Sequence, residues 1–502
     1  MTDLSFTLRS DVRSLLLAVV LVLAGASPVH AQAADTTLAV GSKKFTENVV
    51  LGWAATHLLQ QTGHAATHRA QLGGSRFLWE ALVRGDIDVY PEYTGTLLQE
   101  ILSASSVRRD ALADTLARYG VAMTAPLGFN NTYALGMRTN LADSLGVQTI
   151  ADLRAHPNLE LGFSNEFMDR ADGWPSLRQA YNLPQSARGV DHDLAYRGLM
   201  NGAIDVIDLY STDAEVEKYD IRVLADTRDH FPAYKAVFLY RMDLPADAVA
   251  AIKRLEGQLP ADTMQRLNAR SKIDQVDERV VAANYLNAAF GLSVAAETQS
   301  RTHRVILRSR EHLVLVGISL GLAILLGIPL GIVAAKVRGL GGGVLLAVGL
   351  IYTIPSLALL AVMVPPLGVG RVPAITALFL YSLLPIVWNT YTGLNDIAGP
   401  LRESAEALGL SSLAKLWRVE VPLAARSILA GLKIAAVINV GTATLGALIG
   451  AGGYGQPILT GIRRANMGLI LEGTIPAAVL TVLVLALFEA LERGLLPRSM
   501  RG

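Results

Sequence analysis

Five apolar stretches in the C-terminal part of this 502-residue chain limit its fold more than any other feature. They lie at residues 312–335, 345–364, 372–394, 428–450 and 474–492. Each is about 20 residues or longer, which is enough for an α-helix to cross the hydrocarbon core of a bilayer. The pattern therefore predicts an all-α transmembrane domain with five spans.

The residues before these stretches have a different pattern, because short β-like runs alternate there with amphipathic helical stretches. This alternation is typical of α/β architecture. The strand candidates are residues 38–40, 87–89, 159–163, 204–207 and 237–240, and the helix candidates include residues 48–61, 110–119 and 277–292.

A short internal repeat refines the prediction for this α/β part. Residues 82–89 (LVRGDIDV) return as residues 199–206 (LMNGAIDV), and each copy is followed at the same offset by a tyrosine, Tyr93 or Tyr210. A match this short can arise by chance. As a true repeat, it describes two related lobes that each deliver a tyrosine from the end of a strand. Ligands bind at that end in open α/β sheets, so two facing lobes predict a cleft.

The N-terminus has the parts of a secretory signal. Arg9 and Arg13 precede an apolar run at residues 15–24, and small residues follow up to Ala31 and Ala33. We therefore predict a signal peptide over residues 1–33, a two-lobed binding domain over 34–292, a linker over 293–304 and the transmembrane domain over 305–502.

The distribution of positive charge supports an orientation with the α/β domain outside the cell. In that orientation the outer loops carry only Arg371, Arg463 and Arg464, whereas the predicted inner loops carry most of the basic residues, as the positive-inside rule requires. The inner set is Lys336, Arg338, Arg402, Lys415, Arg418, Arg426, Arg493, Arg498 and Arg501. We expect a multi-pass protein of the inner (plasma) membrane with its binding domain on the extracytoplasmic (periplasmic) side.

Several classes of function do not fit the composition. A formal net charge of +1 does not suggest nucleic-acid binding, and the absence of cysteine excludes a thiolate metal site. The sequence Asp191-His192-Asp193 is better explained as a solvated turn than as a metal site, since three adjacent residues rarely converge on one ion. HExxH, GxSxG and P-loop motifs are all missing, so we predict neither an enzyme nor a bound cofactor.

Residues 401–422, between the third and fourth apolar stretches, have the pattern of a short helix-turn-helix. Leu401, Ala405 and Leu408 share one helical face, Gly409 permits a turn, and Ser411 or Ser412 can cap a second helix that Pro422 ends. From the pattern alone, an ordinary connecting loop is an equal alternative to a docking element for a cytoplasmic partner.

Within this loop, Glu403-Ser404-Ala405, Gly409, Val419 and Val421-Pro422 reproduce the EAA–G–I–LP spacing of ABC importer permeases. The departure is Ser404, where that family usually has alanine. The resemblance implies a coupling helix that binds a separate ATPase subunit, with Glu403, Ala405, Gly409 and Pro422 as the coupling residues. It also implies a permease homodimer, because five spans form half a channel.

Sequences in the α/β part resemble the binding proteins of osmoprotectant (glycine betaine/choline) ABC importers. The matching pieces recur in family order, although Lys44 and Asn48 depart from it. They are GSKKFTE (41–47), LGGS (72–75), YPEYTGT (90–96), FNNTYAL (129–135), EFMDRADG (166–173), LYSTD (209–213) and FPAY (231–234).

This resemblance implies a ligand site with an aromatic cage. A quaternary ammonium group has no N–H and is held by ring faces rather than by hydrogen bonds. Arg170 is the implied clamp for a ligand carboxylate, and a salt bridge to Asp169 or Asp172 is the alternative. The implied cage is Tyr93, Tyr133, Tyr210 and Tyr234, and Ser42, Thr46, Thr96 and Asn131 are further polar contacts.

Together these features predict the substrate-binding and permease subunit of an ABC importer for quaternary ammonium osmoprotectants such as glycine betaine. Choline, carnitine and ergothioneine are alternative ligands, because a tyrosine cage accepts all of them. A membrane-anchored ligand sensor that moves nothing is the alternative class. The spans carry no Asp, Glu or Lys near their middle, which favours an external energy source over ion coupling.

Overall fold

The computed structural model describes residues 37–103, 109–296, 300–337 and 339–496. The predicted signal sequence lies outside these ranges, as do Arg338, Arg498 and Arg501 of the predicted inner loops.

The first part of the chain alternates strands and helices as predicted. It begins with β1 (Leu38–Gly41), α1 (Thr46–Gln61), β2 (Ala66–Arg69), α2 (Ser75–Arg84), β3 (Val89–Tyr93), α3 (Thr94–Thr96), the π-helix Leu97–Ile101, the 3₁₀-helix Arg109–Ala111, α4 (Leu112–Ala117) and β4 (Val121–Met123). It continues with β5 (Tyr133–Arg138), α5 (Thr139–Leu145), the 3₁₀-helix Ile150–Ala155, β6 (Leu161–Ser164), α6 (Asn165–Asp169), α7 (Trp174–Tyr181), β7 (Ala187–Val190), α8 (His192–Met200), β8 (Val206–Tyr210), α9 (Glu215–Lys218) and β9 (Ile221–Leu224). It ends with β10 (Ala236–Arg241), α10 (Ala246–Lys253), α11 (Ala261–Lys272) and α12 (Glu278–Phe290).

These strands form two five-stranded sheets, one in each lobe, with the same topology. Their orders are β2-β1-β3-β10-β4 and β7-β6-β8-β5-β9. In each sheet the first three strands of this order are parallel. The fourth strand is antiparallel to the third: β10 pairs with β3 in the first sheet, and β5 pairs with β8 in the second. The internal repeat is therefore a structural repeat, and the α/β two-lobed fold is confirmed.

Both copies of the repeat start their strands about two residues later than predicted. Asp86 and Ile87 donate their backbone N–H groups to the carbonyl of Ala81, and Ala203 and Ile204 donate theirs to Gly198. These amides close the end of the preceding helix and are not free to enter the sheet. The strands then run beyond the predicted ends at residues 89 and 207, so that Tyr93 and Tyr210 are their last residues, as the repeat predicted.

The C-terminal part is helical. Its elements are α13 (Arg301–Lys336), α14 (Gly341–Thr353), α15 (Ser356–Leu367), α16 (Arg371–Asn395), α17 (Gly399–Ala407), α18 (Ser412–Lys415), the π-helix Leu416–Glu420, α19 (Val421–Thr442), the 3₁₀-helix Ala443–Ile449, α20 (Gly455–Arg463) and α21 (Met467–Leu495). By length and composition, the described residues hold four helices able to cross a membrane, or five if α14 and α15 count as one span.

The second predicted span consists of two helices and not of one continuous helix. Its two halves, α14 and α15, meet at an angle of 97°. The break falls at Ile354-Pro355, where both residues have extended backbone conformations. A proline disfavours the helical conformation of the residue before it and has no N–H for the helix ladder, so the chain turns here.

The binding domain contacts the helical part through buried polar groups. Glu278 of α12 pairs with Arg463 at 2.7 Å and Arg464 at 3.7 Å, and Arg463 also donates to the hydroxyl of Thr46 at 2.9 Å. Although burial raises it, these arginines hold the pKa of Glu278 below its ordinary value. This pairing gives a structural reason for two arginines in a predicted outer loop.

Candidate functional site

A cavity lies between the two lobes, at the carboxyl ends of β3 and β8. Eight of the nine predicted ligand-binding residues line it: Thr46, Tyr93, Thr96, Asn131, Tyr133, Arg170, Tyr210 and Tyr234. The ninth, Ser42, is buried away from the wall, where its hydroxyl lies 2.9 Å from Nε2 of His68.

The four predicted cage tyrosines converge on the cavity, and strand pairing places two of them together. Tyr133 at the start of β5 is opposite Tyr210 at the end of β8, and their ring centroids are 4.9 Å apart. Tyr234 meets Tyr133 edge-to-face at 5.6 Å. Tyr93 projects from the other lobe, with its ring 5.1 Å from the ammonium nitrogen of Lys43. Aromatic faces from both lobes therefore surround one space.

Sequence reasoning did not select Phe45 as a site residue. Phe45 lies directly before α1, lines the cavity and meets Tyr210 edge-to-face at 5.5 Å. The signal for it was present, because Phe45 stands inside the motif GSKKFTE.

Arg170 lines the cavity but is strongly engaged by protein carboxylates. Its Nε and Nη2 each donate to Asp172 at 2.7 Å, and its Nη1 donates to Glu100 at 2.7 Å. The salt-bridge alternative is thus found at Asp172. The guanidinium also lies 5.3 Å from the ring of Tyr133 and 5.8 Å from that of Tyr234. A guanidinium has five N–H groups, so a ligand carboxylate can still reach those left over, and the clamp stays a prediction.

Other charged residues of the cavity wall are paired as well. Lys43 contacts Glu92 at 2.5 Å, Glu166 lies 3.7 Å from Lys44, and Lys272 contacts Asp193 and Glu215 at 2.7 Å each. Buried charges are stable in a protein when they are paired in this way.

His192 is the second residue of Asp191-His192-Asp193, for which the sequence predicts a solvated turn. That interpretation is wrong for the histidine, which is buried at the start of α8 and lines the cavity. Its Nε2 lies 3.2 Å from Asp213 and its Nδ1 lies 4.0 Å from Asp208. Although burial lowers it, the attraction of Asp213 and Asp208 raises the pKa of His192 to about 9.

We expect that loss of this ion pair makes the binding domain less stable at alkaline pH. The folded pKa of His192 exceeds its ordinary value of 6.5, so the stabilisation is complete below pH 6.5 and is lost as the pH rises through about 9. Thermal unfolding of the purified chain, followed by tryptophan fluorescence, should show a falling midpoint across this window. His192→Gln should flatten the dependence. A wild-type midpoint that stays constant from pH 6.5 to 10 would contradict the assignment.

The loop at residues 401–422 forms the predicted helix-turn-helix but ends differently. Gly409 turns the chain with a φ of 76°, and the hydroxyl of Ser411 caps α18. Pro422 does not end the second helix, which is a correction. α18 continues through the π-helix Leu416–Glu420 into α19, and Pro422 lies in the first turn of α19, where a missing N–H is tolerated.

This loop exposes apolar side chains. Leu408, Leu413 and Trp417 are 81%, 67% and 58% exposed, and Leu401 and Glu403 are also exposed. Ala405 is buried, so it does not share the outer surface with Leu401 and Leu408 as the helical pattern predicted. Helix α17 ends at Ala407, so Leu408 does not lie on the helical face that carries Ala405. We call the exposed set of Leu401, Glu403, Leu408, Leu413 and Trp417 the coupling surface.

A buried carboxylate, which the sequence did not single out, joins the loop to the first membrane helix. Glu420 is 2.5 Å from Lys336 at the end of α13 and 3.7 Å from Arg402 of α17. The loop is therefore tied to the helical body by charge.

The fold and the cavity define a solute-binding domain joined in one chain to a membrane permease. Residues 36–288 match the family described as the substrate-binding domain of ABC-type glycine betaine transport systems. Residues 327–501 match the inner membrane component of binding-protein-dependent transport systems.

Relatives of known role resemble the permease part. The glycine betaine/carnitine/choline transport system permease protein OpuCB of Bacillus subtilis is 36% identical over 204 residues, which are 41% of this chain and 94% of OpuCB. The osmoprotectant import permease protein OsmW of Salmonella typhimurium is 39% identical over 196 residues, 38% of this chain and 91% of OsmW. A crystal structure of a glycine betaine/carnitine/choline ABC transporter covers 50% of this chain and 98% of its own, with 25% identity and a TM-score of 0.43.

The chain belongs to the family of substrate-binding domains of ABC-type glycine betaine transport systems, and here that domain is fused to its inner-membrane permease component. It is thus a multi-pass component of an ABC importer, which implies a small-molecule substrate and an ATPase partner. Both matching families are transport families.

Proposed function

We propose that this chain binds quaternary ammonium osmoprotectants such as glycine betaine and passes them through its own permease domain. Choline, carnitine and ergothioneine are the alternative ligands. The observation that carries the proposal is the convergence of Tyr93, Tyr133, Tyr210 and Tyr234 on one cavity. Aromatic faces attract a desolvated cation by about 0.5–2 kcal/mol each, and they do so without needing an N–H group on the ligand.

Two polar features of the cavity fit the carboxylate end of a betaine. Thr46 lies at the N-terminus of α1, where free backbone N–H groups and the helix dipole favour an anionic group. Thr96 and Arg170 also line this cavity. In the proposed complex, Arg170 keeps its bond to Asp172 and offers its remaining N–H groups to the ligand.

The transport cycle follows from the two domains. The binding domain, on the extracytoplasmic side, closes over the ligand while it contacts the permease through Glu278, Arg463 and Arg464. A separate ATPase subunit binds the coupling surface from the cytoplasm, and its motion reaches α13 through Glu420 and Lys336. Two copies of the chain form the channel.

The coupling surface supports transport over ligand sensing alone. Large apolar side chains such as Leu408 and Trp417, exposed at a polar loop, are typical of a protein-binding surface. A sensor that moved nothing would have no use for such a surface or for the link from Glu420 to α13.

Calorimetric titration of the full chain in detergent tests the ligand. We expect glycine betaine, choline, carnitine or ergothioneine to bind, and Tyr133→Ala to weaken that binding about 10-fold by removing one ring face. Tyr133→Phe keeps the ring and should bind within about threefold of wild type. Tyr285→Ala is the control, since Tyr285 bonds to the carbonyl of Gln258 outside the cavity. Binding of none of the four compounds would overturn the proposal.

A further inference from the structure

Glu47 differs from every other charged residue of the cavity wall. The others form ion pairs, whereas Glu47, in the first turn of α1, has no lysine, arginine or histidine in salt-bridge contact among the residues that the structure describes. It is 5% exposed. A buried negative charge without a positive neighbour is unfavourable unless something else compensates it.

Neutral donors from several elements surround the Glu47 carboxylate. Tyr93 and Asn131 donate to Oε1 at 2.6 and 2.8 Å. Thr212 and Asn268 donate to Oε2 at 2.5 and 3.2 Å. Two of these donors are amide groups, one on each oxygen, which suits a carboxylate that accepts on both sides.

These four bonds occupy the lone pairs of the carboxylate but leave its charge uncompensated. Burial raises the pKa of Glu47 above its ordinary value and the charge of Asp213 adds to this, although the bonds from Thr212, Tyr93 and Asn268 lower it. A ligand with N–H groups would have to compete for lone pairs that are already in use. A quaternary ammonium has no N–H and interacts with a carboxylate through charge alone.

All four donors also line the cavity of the proposed ligand site, and Tyr93 is one of its cage tyrosines. The charge of Glu47 is therefore one hydrogen bond away from groups that would contact the ligand, and in a desolvated cavity its field is weakly screened.

We propose that Glu47 is the counter-charge for the quaternary ammonium group, and that it makes the site select a permanent, N–H-free cation over a neutral molecule of the same shape. This inference rests on the proposed function of the cavity. It assigns the selection for charge to Glu47 and the selection for shape to the tyrosines.

Titration of the full chain with choline and with its uncharged carbon isostere, 3,3-dimethylbutan-1-ol, separates the two contributions. In the wild type, choline should bind about 100-fold more tightly than the isostere. Glu47→Gln should weaken choline about 30-fold and change the isostere less than about threefold, because only the charged ligand loses an attraction. Glu47→Asp, which keeps the charge, should retain the preference for choline.

The titration has a control variant, and its possible results include several that would overturn the inference. Asp169→Asn removes a charge of the same sign from an exposed position outside the cavity wall and should leave the choline preference unchanged. If Glu47→Gln weakens both ligands equally, Glu47 only maintains the shape of the site and the inference is overturned. Unchanged affinities for both ligands in Glu47→Gln would overturn it too. If wild type binds no methylated ammonium compound, the proposed function fails together with the inference.

Discussion

Glu403→Lys is expected to abolish uptake while leaving ligand affinity unchanged. Glu403 is exposed on α17 within the coupling surface, beside apolar residues that the chain itself does not cover. Reversing a charge in a protein–protein contact places like charges together or leaves a partner unpaired, and a loss of about 100-fold in uptake is the expected size. The ligand cavity is formed by residues 43–272 and does not include this loop.

The measurement pairs uptake of radiolabelled ligand by cells that express the chain and its ATPase with titration of the purified variant. Glu489→Lys is the matched control, since it reverses the same charge at an exposed pair with Arg493 on α21. Uptake should survive in the control. Normal uptake by Glu403→Lys would show that the ATPase binds elsewhere.

Much of the ligand cavity was predictable because its tyrosines follow from a local rule. A strand that ends at a sheet edge presents its last side chain to that edge, and the repeat gave this position twice, at Tyr93 and Tyr210. The resemblance to known binding proteins added Tyr133 and Tyr234 at matching motifs. The structure brings all four to one cavity.

The pairing of charges was not predictable to the same degree, because it depends on distant parts of the chain. Asp172 is two residues from Arg170 and was named as a candidate partner, but Glu100 comes from the other lobe. Glu278 and Arg463 likewise meet across the boundary between the domains. A pattern within one segment carries no information about such contacts.

The membrane part shows the same division between local and distant causes. Apolar length correctly predicted the spans, but it could not distinguish a straight helix from the 97° bend between α14 and α15. Pro355 and Pro422 are both prolines that can interrupt a helix. The outcomes differ because Pro355 follows a residue in extended conformation, whereas Pro422 follows a π-helix that continues into α19.

Arg170→Ala is expected to weaken the binding of choline as well as that of glycine betaine, each by about 100-fold. The substitution leaves the carboxylate of Asp172 buried without its cation and removes a partner of Glu100. It also removes the guanidinium beside Tyr133 and Tyr234, and Asp172 accepts a hydrogen bond from Tyr234. The tyrosine cage therefore loses its support whichever ligand is offered.

The comparison of the two ligands separates support of the cage from a carboxylate clamp. If Arg170 also binds the ligand carboxylate, glycine betaine should lose about 10-fold more than choline, because a charge-assisted hydrogen bond contributes about 1.5–3 kcal/mol. Arg178→Ala is the control: Arg178 lies 6.0 Å from the ring of Trp174 but outside the cavity, and both ligands should bind normally. Full choline affinity in Arg170→Ala would contradict the supporting role, since the cage would then hold its geometry without the ion pair that joins the two lobes.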